Sequence, residues 1–153
     1  MDDGPRVDMC VIIQDQLKKI GINVEIKIFE FGAYVSKTAL PNKELYFLSW
    51  NSSGDGDVAL YPLFHSSQHG APGNRSFYSN KKVDELLDKA RVSVNEEERT
   101  TLYKEVQNIL QEDLAIYPLA YPKINLAKNK NLTGLVFKKN GDIDLTNLDF
   151  NQK

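Results

Sequence analysis

His65 and His69 lie four residues apart, a spacing that on one helical face lets two imidazoles ligate zinc. With Asp55 and Asp57 close by, these residues could serve a small metal-dependent hydrolase. The residues between the histidines are Ser66-Ser67-Gln68, so the glutamate that such a helix uses as general base is missing. Gly70-Ala71-Pro72-Gly73 follows directly, and a helix does not continue through it. The pattern therefore predicts two loop histidines without a metal. Gly54-Asp55-Gly56-Asp57 has the composition of a calcium loop, but counting from Asp55 the sixth position is Leu60 and the twelfth is Ser66, where glycine and glutamate are required. No Gly-x-Ser-x-Gly elbow, Walker loop or dinucleotide fingerprint occurs. What remains is recognition rather than catalysis, with no cofactor.

Trp50 is followed by Asn51, Ser52, Ser53 and Asp55, placing an aromatic ring, hydroxyls and an acid at the carboxyl end of an apolar run. Open α/β sheets bind ligands at such strand ends. A tryptophan belonging to the core beside a solvated loop is the plain alternative. A second glycine-rich loop carries Asn74 and Arg75, and a guanidinium there can meet a ligand carboxylate with paired hydrogen bonds. The alternative for Arg75 is an ion pair with Asp55 or Asp57 that pins the two loops together. Asn51-Ser52-Ser53, Asn74-Arg75-Ser76 and Asn131-Leu132-Thr133 match the glycosylation acceptor pattern, a weak signal in an asparagine-rich chain.

The elements that must position these loops follow from periodicity. A helix is expected from about Val7 to Lys19, ending at Gly21, with Cys10, Ile13, Leu17 and Ile20 on its apolar stripe and Cys10 a buried, inert thiol. Ile22, Val24, Ile26 and Ile28 alternate with polar neighbours, which predicts a strand. Phe31 to Leu40 reads as a short helix closed by Pro41, and Glu44 to Trp50 as a strand buried on both faces. Asp57 or a neighbour caps a short helix reaching Phe64, and residues 66–80 are irregular. Asn80 caps a helix with Val83, Leu86, Leu87 and Ala90 inward. Asn95 with Glu98 opens a longer one that buries Leu102, Val106, Ile109 and Leu110. Edge strands are expected at Leu114–Tyr121 and Ile124–Ala127, interrupted by Pro118 and Pro122, and a turn at Asn140-Gly141 joins Leu135–Phe137 to Ile143–Leu145.

The 153 residues are 41% hydrophobic and 26% charged, enough for one domain with a real core. A net charge of −2 without a basic cluster argues against nucleic acid. No apolar run spans a membrane, and no basic segment precedes an apolar one as in a signal peptide. The helical pattern begins just after Asp2-Asp3-Gly4-Pro5, an abrupt start expected of a piece of a longer protein.

An ordered set of segments resembles the carboxy-terminal part of the family 5 extracytoplasmic solute-binding proteins, the dipeptide, oligopeptide, glutathione and nickel receptors of ABC importers. The set runs from residues 13–24 through Trp50 with Gly54-Asp55-Gly56-Asp57, residues 60–66, Gly73-Asn74-Arg75-Ser76-Phe77-Tyr78-Ser79-Asn80 and Val83-Asp84-Glu85-Leu86-Leu87, to Glu98–Tyr103 and Asn131-Leu132-Thr133-Gly134. The resemblance implies an α/β fold, a mixed sheet flanked by helices, as part of the second lobe of a type II periplasmic-binding-protein fold. Residues from about 1 to 122 would belong to lobe two, and about 123–153 would form a tail returning toward lobe one, whose last ~20 residues, without that lobe, would pack poorly or pair with another copy. It further implies a non-enzyme, extracytoplasmic in the periplasm or on the cell surface as a lipoprotein. Such a protein encloses a peptide between lobes by hinge closure and delivers it to an ABC permease; it meets the membrane only through an anchor or permease outside this chain. Dipeptide receptors carry an aspartate three residues after the tryptophan to pair with the ligand's α-ammonium, where this chain has Ser53, and the segment Leu60–Ser66 resembles the oligopeptide and glutathione-like branch more closely.

Overall fold

The computed structural model describes residues 4–52, 54–121, 123, 125–138 and 141–151. Five helices come in chain order: α1 (Gly4–Lys18), α2 (Phe31–Thr38), α3 (Gly56–Phe64), α4 (Lys81–Val92) and α5 (Glu96–Asp113). A 3-10 turn, Ser66–Gln68, follows α3. Four two-residue strands close the chain: β1 (Leu132–Thr133), β2 (Val136–Phe137), β3 (Ile143–Asp144) and β4 (Asp149–Phe150).

The core is the α4–α5 hairpin with α3 laid against α4. Val83, Leu87, Ala90 and Val106 are fully enclosed, joined by Leu86, Leu102, Leu110 and Phe64 from the end of α3. Helices α4 and α5 start where their caps predict. Asn80 accepts from the backbone of Lys82 and Val83, and Asn95 from Glu97 and Glu98. Glu98 does not reach back to the Asn95 N–H as in a simple capping box. It accepts from the Ser93 hydroxyl at 2.6 Å, and that oxygen accepts from the Asn95 N–H at 3.2 Å, so a serine relays the contact. In α3 the N-cap is Asp55, two residues earlier than Asp57, which lies in the first turn.

The amino-terminal third departs from the expectation. Residues 22–28 and 44–50 form no ladder among the described residues. A strand needs partners on its edges, and among the described residues the paired strands lie in the tail. Both stretches are therefore left partly outward: Ile22 and Ile28 of the alternating face are about half exposed while Val24 and Ile26 are half-buried, and Leu45 of the second stretch is 74% exposed. Helix α1 buries no residue completely; Cys10 is half-buried, and Ile20, beyond the helix end, is 71% exposed. This segment is held by polar contacts instead. Gln14 donates to the Val24 carbonyl at 2.6 Å and the Tyr34 hydroxyl donates to the Phe47 carbonyl.

Residues 114–121 are likewise irregular, since Pro118 and a lack of ladder partners leave them unpaired; Pro122 and Ile124 lie outside the described residues. The tail folds on itself as nested antiparallel pairs, β1 with β4 and β2 with β3, in the registers Leu132↔Phe150 and Phe137↔Ile143. The expected hairpin between residues 135–137 and 143–145 is present, although Asn140 of its turn is outside the described residues. Gly134, at φ +77°, is required where β1 leaves toward β2: a side chain would stand 1.6 Å from the Asn147 carbonyl oxygen. The class is α/β, but its sheet component here is two small ladders rather than one continuous sheet.

Candidate functional site

The chain leaving residues 44–50 presents Trp50 at 41% exposure, with Asn51 exposed and Ser52 half-buried beside it. Ser53 lies outside the described residues. Trp50 is thus a surface ring and not a core residue, as the polar loop beyond it predicts. A broad apolar wall with amide and hydroxyl groups alongside can pack varied side chains and hydrogen-bond a peptide backbone.

Asp55 is engaged by the start of α3 and by α5. Its carboxylate accepts from the Asp57 N–H at 2.7 Å, capping α3, and Oδ2 stands 3.2 Å from Arg99 Nη2 on α5. Asp57 Oδ2 meets Arg91 Nη2 of α4 at 3.5 Å, and the Arg91 guanidinium lies 3.9 Å over the Tyr61 ring. The two acids therefore pair with Arg99 and Arg91, and not with Arg75 as the loop-pinning alternative has it. Packing of α3 against the hairpin brings those arginines within reach, a relationship invisible in sequence spacing.

Asn74 and Arg75 are interior residues. Asn74 is fully buried, and its amide is saturated. Nδ2 donates to the Tyr78 and His65 carbonyls at 2.8 and 3.2 Å, while Oδ1 accepts from the Tyr78 N–H and the Ser76 hydroxyl at 3.1 and 3.0 Å. With two donors and two lone pairs engaged, no capacity is left for a ligand. Arg75 is 7% exposed, and its Nη1 donates to the Val35 carbonyl at 2.6 Å and to Thr38 Oγ1 at 3.0 Å. Lys43 donates to the Leu40 carbonyl nearby, its ammonium 4.6 Å from the Phe77 ring, and burial together with the Arg75 charge holds its pKa below the ordinary value. Both cations sit at the carboxyl end of α2, where the helix dipole is negative, and neither pairs with a carboxylate among the described residues.

The two histidines are separately engaged. Ser67 N–H donates to His65 Nδ1 at 3.1 Å, so the neutral ring carries its proton on Nε2, which faces Asp88 Oδ1 at 3.3 Å and Asp84 Oδ1 at 3.9 Å. A metal at Nε2 would need the proton on Nδ1, against the Ser67 N–H. His69 Nε2 lies 3.0 Å from the Tyr78 carbonyl and 3.1 Å from Ser79 Oγ, on a different partner set. Among the described residues no group of three or more His, Cys, Asp or Glu is placed to hold a metal. The metallohydrolase alternative has no supporting geometry. The part-buried junction of His65 with Ser66 and Asp84 follows from no motif, and its one signal in the sequence is the acid in the first turn of α4.

Residues 1–71 match the family model described as bacterial extracellular solute-binding proteins, family 5 middle. Di/tripeptide-binding protein 2 of Pseudomonas aeruginosa (strain UCBPP-PA14) is 36% identical over 132 residues, 86% of this chain and 25% of that protein. Glutathione-binding protein GsiB of Escherichia coli (strain K12) is 34% identical over 129 residues, 79% of this chain and 25% of that protein. The chain spans about a quarter of the length of these curated relatives. Among solved structures, the periplasmic binding protein DppA from Helicobacter pylori in complex with peptide STSA aligns with a TM-score of 0.68 and 39% identity, over 75% of this chain and 23% of that one. NikZ from Campylobacter jejuni in complex with Ni(L-His) aligns with a TM-score of 0.64 and 31% identity, over 74% and 23%.

Proposed function

We propose, from a chain that belongs to the family 5 bacterial extracellular solute-binding proteins, that it forms part of a receptor that captures peptides for an ABC importer. The receptor works outside the cytoplasm, binds without chemical transformation, and passes its ligand to a membrane permease. Residues 1–122 belong to the second lobe and 123–153 to a tail returning toward the first. Trp50, Asn51, Ser52 and Ser53 line the cleft, while Asp55, Asn74 and Arg75 hold that loop and its neighbour in place from behind.

The observation that carries this reading is the 39% identity and TM-score of 0.68 to a chain holding the peptide STSA. The half-exposed Trp50 supports it, since a large ring left outward at the head of a polar loop suits a cleft wall. Calorimetry on the full-length protein with di- and tripeptides, a tetrapeptide, glutathione and Ni(L-His) tests it. Saturable binding of a peptide is expected. Binding of Ni(L-His) with none of the peptides would replace the peptide reading with metal-chelate capture, and binding of none would remove solute capture altogether.

A further inference from the structure

We propose that His65 is a proton-sensitive latch at the junction of α3 and the loop leading to α4. The imidazole is 8% exposed and stacks on Tyr61 with centroids 4.4 Å apart and planes 17° from parallel. Its Nδ1 accepts the Ser67 N–H at 3.1 Å and so caps the Ser66–Gln68 turn. A second proton can enter only at Nδ1, where it points at that N–H; the backbone donor must then withdraw, and the turn loses its cap. The Ser67 hydroxyl, 2.7 Å from Nδ1, can rotate to accept the new proton.

The surrounding charges decide what is gained in exchange. Asp88 Oδ1 and Asp84 Oδ1, both from α4, stand 3.3 and 3.9 Å from Nε2, which has no aligned hydrogen-bond partner. Both carboxylates would attract a charge placed on the ring. Arg91 of α4, on Tyr61, opposes it, and Asp57 of α3 offsets Arg91 at 3.5 Å. Asp84 also accepts from the Ser66 N–H at 2.9 Å and the Ser66 hydroxyl at 2.6 Å, so attraction to the cation pulls on the same turn. Protonation thus replaces a backbone cap with charge attraction. The change reaches Asn74, which donates to the His65 carbonyl through Nδ2 and to the Gln68 carbonyl through its N–H. Acidity outside the cell would in this way loosen the second loop without touching the α4–α5 core, whether or not a peptide is the ligand.

Nitrogen-15 NMR of the full chain, titrated from about pH 8 to about pH 5 across the usual histidine range, tests the latch. At the alkaline end, the Nε2–H tautomer and a through-hydrogen-bond coupling between Ser67 nitrogen and His65 Nδ1 are expected. The coupling should vanish, and the Ser67 amide proton move upfield, in step with the His65 titration, while the Val106 amide stays unshifted. A ring protonated on Nδ1 at the alkaline end, or a Ser67 amide unmoved while His65 titrates, overturns the proposal.

Discussion

Arg75 Nη1 lies 3.0 Å from Thr38 Oγ1 and 2.6 Å from the Val35 carbonyl oxygen, so one buried guanidinium fastens the end of α2 to the loop after α3. Removing it strips two buried acceptors of a charged donor, and Arg75→Ala is expected to destabilise the protein by about 1.5–3 kcal/mol in urea titrations. Arg75→Lys should restore little, because an ammonium on a flexible stem does not reproduce the planar fork. Peptide affinity measured on the folded variant should hold within about twofold; a much larger loss with unchanged stability would make Arg75 a ligand contact.

Leu87 is fully buried between α4 and α5, whereas Val94, in the link between them, is completely exposed. Leu87→Ala should cost about 2–5 kcal/mol through lost burial and the cavity left behind. Val94→Ala should change stability by less than about 0.5 kcal/mol. Equal effects in thermal or urea unfolding would mean that the hairpin is not the core.

Gly73 packs directly on the end of α3: a Cβ there would stand 2.3 Å from the Pro62 carbonyl oxygen and 3.1 Å from that of Gln68. Both obstacles are backbone, so neither can swing aside. Gly73→Ala should destabilise by at least about 1–3 kcal/mol, as overpacking does, and should disturb the Ser66–Gln68 amide resonances before those of α5.

The Tyr78 hydroxyl donates to Asp113 Oδ2, and Asn80 Nδ2 donates to the same oxygen at 2.8 Å. Burial, reinforced by the Asp113 bond, raises the Tyr78 pKa from 10.0 to about 12. The phenol is therefore neutral when folded at pH values where the unfolded chain would ionise it. Its stabilisation is complete below about pH 10 and is lost as pH rises through about 12. Asp113 is shifted the other way, lowered first by the Tyr78 bond and then by that of Asn80. Its contribution holds above the ordinary carboxylate range and fades as pH falls through the lowered value. Tyr78→Phe should flatten the alkaline limb of the stability–pH curve and raise the midpoint of the acid limb.

Trp50 is the sole tryptophan of this chain, so its emission reports on the proposed cleft wall alone. A ligand enclosed between two lobes draws on both for contact and desolvation. Peptide at concentrations that saturate the full-length protein should leave the emission of the isolated chain unchanged. In the full-length protein Trp50→Ala should weaken peptide binding by more than twofold, above about 0.5 kcal/mol, with little change in stability.

What the sequence determined is whatever residues a few positions apart decide between themselves. Asn80 and Asn95 select their helix starts by bonding the next turn's backbone, and Val83, Leu87 and Val106 share inward faces because helical periodicity puts them there. Tertiary structure decided the rest. The alternation of residues 22–28 defines an apolar face without naming what covers it, and within this chain nothing pairs with it among the described residues. Arg75 and Asn74 look from composition like loop residues open to a ligand, yet each is enclosed: Arg75 by the carbonyl end of α2, Asn74 by the backbone of His65 and Tyr78. Asp55 and Asp57 find arginines on α4 and α5 rather than Arg75. Charge and hydrogen-bonding capacity are local properties of a side chain, but the partner that satisfies them is fixed by which distant elements pack together.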